Sequence, residues 1–217
     1  MKNKLWQIVG AAASTSGGHD MDHIRRVYKL AIRLADFYPE ANREILTAAV
    51  ILHDIARAEE DDDPSGIIDH AELGAQKAEQ ILLDLGWSAD RAAAAAECVR
   101  RHRYRREESE PVTIEAKILY DADKLDSLGA VGVGRLFMLS GQYGERLYIQ
   151  PPPGFGKDGR APKISSFAEY SPNLEYLIKM RHIPERLFTQ EARDIAALRM
   201  ARMDRFFEEL REELEGV

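Results

Sequence analysis

The sequence has few of the features that build disulfide-rich, membrane-spanning or polynucleotide-binding proteins. Cys98 is the single cysteine among 217 residues, which excludes an intrachain disulfide framework and a cysteine-built zinc site. No apolar stretch approaches the length that crosses a bilayer. The formal net charge of −7 disfavours general binding to nucleic acid. We therefore expect a cytoplasmic protein that has no membrane partner and does not take nucleic acid as its general ligand.

Strand patterns are also scarce, because no segment sustains the apolar–polar alternation of a half-buried strand. Helical spacing recurs instead, and Asp20 stands at the N-cap position of one such segment. The sequence predicts an all-α fold in one domain over residues 1–217, with a long irregular loop at about 141–172 that contains several prolines and glycines. One buried helical stripe in this pattern consists of Ile24, Val27, Leu30, Ala31 and Leu34.

Three segments have less distinctive patterns. The N-terminus has a basic start and a short apolar stretch, as a weak signal peptide does, but polar residues interrupt the stretch and we predict a first helix. The charged run from Arg57 to Asp63 precedes Pro64 and is predicted to be a solvated loop. The small residues from Gly129 to Gly134 lack the setting of a phosphate-binding loop, so we interpret them as a place of close helix packing.

The most informative pattern is the doublet His53-Asp54, which follows the apolar residues 50–52. An imidazole and a carboxylate are costly to bury unless they are paired, and a divalent metal pairs with both. An aspartate that orients a core histidine explains the doublet equally well. With His23 and Asp123 from other predicted helices, the doublet forms a mixed nitrogen and oxygen set suited to a transition metal. Facing helices of a bundle can supply such a set.

These residues lie in three longer motifs. The sequence resembles the HD-domain metal-dependent phosphohydrolases, whose signature is a histidine, then a His-Asp doublet, then a distant aspartate. His70, the segment 101–103 and the closing helix extend the resemblance over nearly the whole chain, to a small bacterial subgroup of YedJ-like and YpgQ-like proteins. Residues 167–177 depart from the subgroup's pattern. The motifs read His19-Asp20-x-x-His23-x-x-Arg26-Val27, Leu52-His53-Asp54-Ile55 and Asp121-Ala122-Asp123-Lys124-Leu125-Asp126-Ser127-Leu128-Gly129-Ala130.

The resemblance implies an all-helical HD bundle that binds one divalent ion through His23, His53, Asp54 and Asp123. Manganese is favoured among Mn, Fe, Co, Ni, Mg and Zn. The implied reaction is hydrolysis of a nucleotide or related small phosphate ester by a metal-activated water, foremost nucleoside triphosphate pyrophosphohydrolysis, in a monomer or homodimer. Nucleotide monophosphatase and cyclic-nucleotide phosphodiesterase activities are alternatives. A non-catalytic nucleotide or metal sensor, and a bundle with satisfied core histidines, are alternatives of other classes.

Further residues are candidates for catalysis. Lys124, next to Asp123, can meet charge that develops on phosphoryl oxygens, so we assign it to both catalysis and substrate binding. Asp126 falls on roughly the same helix face as Asp123 and can orient water or Lys124, although a surface carboxylate would look the same. His102 is a candidate acid or base, at the end of a basic helix terminus.

The predicted substrate contacts are His19, Arg26 and His70, together with Lys124. His19 precedes His23 by four residues, the spacing of a metal-binding pair, but we interpret it as a loop residue that lines the pocket. Arg26 can contact phosphate or form a salt bridge. His70 and His102 have further interpretations, as ligands of a second metal, as phosphate-binding groups, or as structural residues at helix ends.

Overall fold

The structure is a computed structural model, which describes residues 1–12, 20–103, 110–156 and 169–217. Within these ranges the chain is all-α and contains no strand, as the sequence predicts. Two short 3-10 helices, Met180–His182 and Pro184–Arg186, precede the last helix. The described part of the chain contains ten α-helices, which are α1 Lys2–Ala12, α2 Met21–Ala35, α3 Arg43–Leu52, α4 Arg57–Asp61, α5 His70–Asp84, α6 Ala89–Arg101, α7 Ile114–Asp126, α8 Gly129–Tyr143, α9 Pro172–Ile178 and α10 Gln190–Glu215.

Contacts between the helices group the chain into two compact units, residues 1–123 and 124–217. In the first unit, α3 is the central element, because it packs against α1, α2, α5 and α6. Its residues 48–52 are completely buried. The apolar run therefore carries His53 and Asp54 directly into the core, and both side chains are buried there. A single domain over residues 1–217 stays a prediction.

Polar side chains cap the start of three helices in this unit. Asp20 caps α2 by accepting a hydrogen bond from the backbone N–H of His23, at 2.8 Å. Asn42 caps α3 through the backbone N–H groups of residues 44 and 45. Asp69 caps α5 by accepting from the N–H of Ala71 at 2.9 Å. These caps fix where each helix begins, and the N-cap predicted at Asp20 is confirmed.

Two predicted segments differ from the structure. The run from Arg57 to Asp63 is not a solvated loop, because residues 57–61 form α4 and the side chains of Arg57 and Glu60 are largely buried. Ion pairs at i,i+3 and i,i+4 hold this short helix together. The irregular segment expected from residue 141 begins slightly later, because α8 continues to Tyr143 and ends on the left-handed glycine Gly144.

In the second unit, α8 packs closely on α10, as the small residues predicted. A Cβ added at Gly129 would lie 3.1 Å from Cγ of Arg199 on α10. An aromatic cluster continues this interface, with Tyr176 and Phe207 stacked at a centroid distance of 4.4 Å. Phe137 on α8 contacts Phe206 and Phe207 on α10. Two contacts therefore hold α8 against α10. The backbone at Gly129 lies close to the side chain of Arg199 at one end, and aromatic rings pack together at the other.

Among the described residues, none of the helices has both the length and the apolar character that crossing a membrane requires.

Two glycines of α8 provide a matched pair for testing how closely this helix approaches the turn that precedes it. A Cβ at Gly132 would lie 2.1 Å from the carbonyl oxygen of Ser127, whereas a Cβ at Gly134 meets nothing within 4 Å. We expect Gly132→Ala to lower the free energy of unfolding by about 1–3 kcal/mol, because backbone must shift to relieve the overlap. Gly134→Ala should raise it by up to about 1 kcal/mol, because alanine favours the helix.

Urea unfolding followed by circular dichroism measures both values. Equal effects of the two substitutions would contradict the close approach at residue 132.

Candidate metal centre

Asp54 lies at the centre of a buried cluster of histidines and carboxylates in the first unit. Its two carboxylate oxygens face different histidine pairs, Oδ2 toward His23 and His53 and Oδ1 toward His70 and His102. All four histidines are at most 4% exposed. The structure thus joins residues from four segments of the chain around one carboxylate.

The first group contains the four residues that the sequence predicts as metal ligands. Nε2 of His23 lies 3.3 Å from Nε2 of His53, 3.5 Å from Oδ2 of Asp54 and 3.4 Å from Oδ1 of Asp123. Nε2 of His53 lies 3.5 Å from the same Asp54 oxygen. Asp123 keeps 13% of its side chain exposed, so the group has one edge open to solvent.

The second group contains the two histidines for which the sequence left several roles open. Nε2 of His70 lies 3.2 Å from Nε2 of His102 and 3.5 Å from Oδ1 of Asp54. Nε2 of His102 lies 3.6 Å from this oxygen. The rings of His53 and His102 connect the two groups at a centroid distance of 5.2 Å.

These separations fit ligands that share an ion. Two atoms that each lie about 2.1 Å from one metal are about 3.0 Å apart at a right angle and about 3.4 Å apart at the tetrahedral angle. The pairs of donor atoms described above lie 3.2–3.6 Å apart. The donors of His23, His53 and Asp54, and those of Asp54, His70 and His102, therefore fit a divalent metal in spacing as well as in donor chemistry, and Asp123 adjoins the first set through its contact with His23.

Backbone carbonyls fix the tautomers of two of the histidines. Nδ1 of His53 lies 2.8 Å from the carbonyl oxygen of Val50, and Nδ1 of His102 lies 2.6 Å from that of Val99. A carbonyl can only accept, so each Nδ1 carries the proton and each Nε2 presents a lone pair. Both histidines are the C-cap residues of their helices, α3 and α6. In both helices a carbonyl of the last turn thus orients the histidine ring so that its Nε2 faces the cluster.

Burial keeps the imidazoles of His53 and His70 neutral. Desolvation lowers the pKa of His53 to about 4, although the negative charge of Asp54 partly opposes the shift. Desolvation and the neighbouring His102 lower the pKa of His70 to about 3. At neutral pH both rings are therefore uncharged, which is the form that binds a metal.

A carboxylate and two guanidinium groups surround the far side of His70. Oε2 of Glu60 lies 2.7 Å from Nδ1 of His70, and Arg57 and Arg103 both pair with Glu60. Burial by itself raises the pKa of Glu60, but the hydrogen bond from Arg103 and the contact with His70 outweigh it, so the pKa is lowered. Glu60 is therefore an ionised acceptor at neutral pH. Sequence reasoning missed it, because it belongs to the run interpreted as a loop.

The other predicted site residues have varied surroundings. Lys124 is half-buried and follows Asp123 directly on α7, and Arg26 is half-buried on α2, one turn after His23. Asp126 is buried and accepts a hydrogen bond from Arg135 at 3.0 Å, so its carboxylate already has a cationic partner. His19 lies outside the described residues.

A helical core that brings a His-Asp doublet together with further histidines and an aspartate is the arrangement of an HD domain. Residues 21–128 match the HD-domain family model, and the chain belongs to the HD superfamily. By homology it is an HD-superfamily hydrolase.

Similar proteins cover nearly the whole chain. YpgQ of Bacillus subtilis (strain 168) is 26% identical over 205 residues, which are 93% of this chain and 87% of YpgQ. The structure of Bacillus subtilis YpgQ in complex with ADP superposes with a TM-score of 0.73 at 24% identity, covering 100% of this chain and 99% of that one. A predicted HD superfamily hydrolase from an uncultured Thermotogales bacterium has a TM-score of 0.66 at 25% identity, with 98% and 92% covered.

A shorter similarity connects the chain with a larger enzyme. The 3'-5' exoribonuclease YhaM of Listeria monocytogenes is 26% identical over 151 residues, which are 64% of this chain. The chain spans only 46% of the length of YhaM.

The lowered histidine pKa values predict a pH-dependent stability of the metal-free protein. In the unfolded chain His53 and His70 have the ordinary histidine pKa of about 6.5. Below this pH the unfolded chain therefore binds more protons than the folded chain does. This stability is complete above pH of about 6.5 and is lost as the pH falls toward the folded values of about 4 and about 3. We expect the urea midpoint of EDTA-treated protein to fall already between pH of about 6.5 and 5, where surface carboxylates with pKa values near 4 bind few protons.

The control is the same titration of a His70→Asn variant, which should show a shallower fall. A urea midpoint that stays constant over this interval would contradict the burial of neutral histidines.

Proposed function

We propose that this chain is a phosphohydrolase that holds two divalent ions, with Asp54 as the bridging ligand, and acts on the phosphate groups of nucleotides. The observation that carries the proposal is the position of Asp54 between two histidine pairs, with one carboxylate oxygen facing each. The sequence predicts one ion at His23, His53, Asp54 and Asp123. In this proposal that ion is the first of two.

The second ion would take Oδ1 of Asp54 and the Nε2 atoms of His70 and His102 as its ligands. The two histidines then act as ligands and not as the acid, base or substrate contact that the sequence left open. Imidazole nitrogens and a shared carboxylate are a mixed donor set that suits Mn²⁺, Fe²⁺, Co²⁺, Ni²⁺ or Zn²⁺ better than Mg²⁺. We favour manganese.

When bound, such ions polarise phosphoryl oxygens and lower the pKa of a coordinated water. The protein's own residues supply the rest of the chemistry. His53 and His102 keep their donor atoms aimed inward through the carbonyls of Val50 and Val99. Asp123, at the open edge of the first group, is the ligand nearest to solvent and so marks the side on which a substrate phosphate can approach.

The chain as a whole carries a net charge of −7, so positively charged side chains near the site must stabilise the negative charge of the substrate. Lys124 follows Asp123 directly, and we assign it to the phosphoryl oxygens. Arg26, one turn after His23 on α2, is a second candidate for a phosphate contact. Asp126 would act through Arg135, its ion-pair partner, and not on the substrate directly.

The substrate class rests on the relatives. Bacillus subtilis YpgQ, which resembles this chain over its full length, has been crystallised in complex with ADP, and that ligand supports a nucleotide with at least two phosphates. We propose cleavage of a nucleoside triphosphate with release of pyrophosphate as the foremost reaction. Removal of a single phosphate and opening of a cyclic nucleotide are the other reactions that the same site can perform.

Similarity to YhaM favours one second candidate, hydrolysis of phosphodiester bonds in short oligoribonucleotides. The shared part is less than half of YhaM, so further segments of that enzyme have no counterpart in this match. The negative net charge of this chain argues against a long polynucleotide. A mononucleotide substrate is therefore our first choice.

Metal content provides the first test. Purified protein equilibrated with Mn²⁺ should hold two ions per chain, measured by elemental analysis after gel filtration. Asp54→Ala removes the shared ligand and should reduce the content below one ion, whereas His102→Ala should leave the first ion in place. His182→Asn is the matched control, because His182 bonds to the carbonyl of Gly156 and belongs to the other unit.

Undiminished metal content in the Asp54→Ala variant would refute the bridging role. Protein that holds no ion under any loading condition would favour a bundle with satisfied core histidines.

Substrate identity provides the second test. A panel of nucleoside tri-, di- and monophosphates, cyclic nucleotides and a short oligoribonucleotide is incubated with Mn²⁺, and phosphate and pyrophosphate are measured separately. We expect pyrophosphate from at least one triphosphate and a loss of at least about 1,000-fold in kcat for Asp54→Ala, because removing a catalytic metal removes several kcal/mol of transition-state stabilisation. Lys124→Ala should lower kcat by about 10- to 1,000-fold.

Release of nucleotides from the oligoribonucleotide alone would favour the YhaM-like reaction. Binding of nucleotide without turnover across the panel would favour a sensor.

A further inference from the structure

We propose that Glu60 is the positioning residue that holds His70 in the tautomer and orientation needed to bind the second ion. This inference rests on the two-ion site proposed above. It assigns a specific role to a residue of α4 that neither forms part of the HD signature nor points into the cluster of donor atoms.

The histidines at the helix ends need no such residue, but His70 does. His53 and His102 follow their helices and donate to a carbonyl three residues earlier, within their own last turn. His70 is the first residue of α5, so no helical turn precedes it to offer a carbonyl in the same way. An acceptor for its Nδ1–H must come from another element, and α4 provides one.

The distances identify Glu60 as this acceptor. Nδ1 of His70 lies 2.7 Å from Oε2 of Glu60, but 3.3 Å from Nη1 of Arg103 and 3.5 Å from Nη1 of Arg57. The guanidinium groups can only donate, so they would require the opposite tautomer, with the proton on Nε2. The much shorter contact with the carboxylate places the proton on Nδ1 and leaves the Nε2 lone pair for the metal.

Both oxygens of Glu60 are held in place. Arg57 donates to Oε2 at 2.9 Å, and Arg103 donates to Oε1. Each arginine also has a second acidic partner, Asp61 for Arg57 and Asp69 for Arg103. Glu60 is therefore not the only group that balances the charge of the two arginines, whereas it is the carboxylate that lies 2.7 Å from Nδ1 of His70.

The test compares Glu60→Gln with Glu59→Gln. A glutamine amide has one acceptor oxygen for the three donors that face Glu60, so its N–H group faces either Arg103 or the pair formed by His70 and Arg57. Glu59 stands beside Glu60 on α4 and pairs with Lys77 on the surface, so its substitution makes the same chemical change without touching His70. Manganese is titrated into the metal-free full-length proteins by calorimetry.

We expect Glu60→Gln to weaken the Kd of the second ion by about 10- to 100-fold and to leave the first ion bound with its original affinity. Retention of the first ion also shows that the variant is folded. Glu60→Asp, which keeps the charge for both arginines but is shorter by one methylene group, should fall between wild type and glutamine. Glu59→Gln should bind both ions as the wild type does.

A second readout needs no metal. Nitrogen-15 spectra of the histidine rings in the metal-free protein should show His70 with its proton on Nδ1 in the wild type and in Glu59→Gln, and a mixture of tautomers in Glu60→Gln. Unchanged affinity for the second ion together with an unchanged His70 tautomer in Glu60→Gln would overturn the role of Glu60 alone. A wild-type protein that binds a single ion would overturn the two-ion site, and with it this role.

Discussion

The structure of the candidate site depends on the sharing of one carboxylate between two pairs of imidazoles. Asp54 is 7% exposed, and each of its oxygens has two histidine nitrogens as neighbours. Lone pairs from the four rings and the negative charge of the carboxylate converge on a small buried volume. Without a cation, burying these groups so close together costs free energy. A divalent ion in each group would offset this cost, because the nitrogen and oxygen atoms would coordinate it.

The apolar residues of α3 make this arrangement possible. Residues 48–52 have no exposed surface, and α3 is surrounded by four other helices of the first unit. Burying them stabilises the fold by roughly 25 cal/mol for each Å² of apolar surface removed from water. The same packing buries the two polar residues that follow α3, His53 completely and Asp54 to all but 7% of its surface. One continuous segment, α3 with the two residues that follow it, therefore contributes both to the stability of the core and to the candidate metal site.

Much of this could be predicted from the sequence, because helical periodicity and the cap at Asp20 are local signals. The set His23, His53, Asp54 and Asp123 was also predictable, and the structure brings these residues together, although their role as ligands stays a proposal. The relation of His70 to Glu60 could not be predicted, since it depends on how α4 and α5 meet. A charged run such as residues 57–63 has the same composition whether it forms a loop or a half-buried helix. Only the ion pairs among Arg57, Glu60 and Arg103 distinguish the two.

The histidines at the ends of α3 and α6 limit how the length of the chain can vary. Each ring is oriented by a carbonyl three residues earlier, and one inserted or deleted residue rotates the end of an α-helix by about 100°. A single insertion within either helix would therefore turn a ring out of the cluster even if the hydrophobic core adapted. Between α8 and α9, none of the described residues 144–156 and 169–171 belongs to an α-helix, so these stretches have no such phase to preserve. Among proteins with this site, we expect length differences to accumulate there, while α3 and α6 keep their residue count.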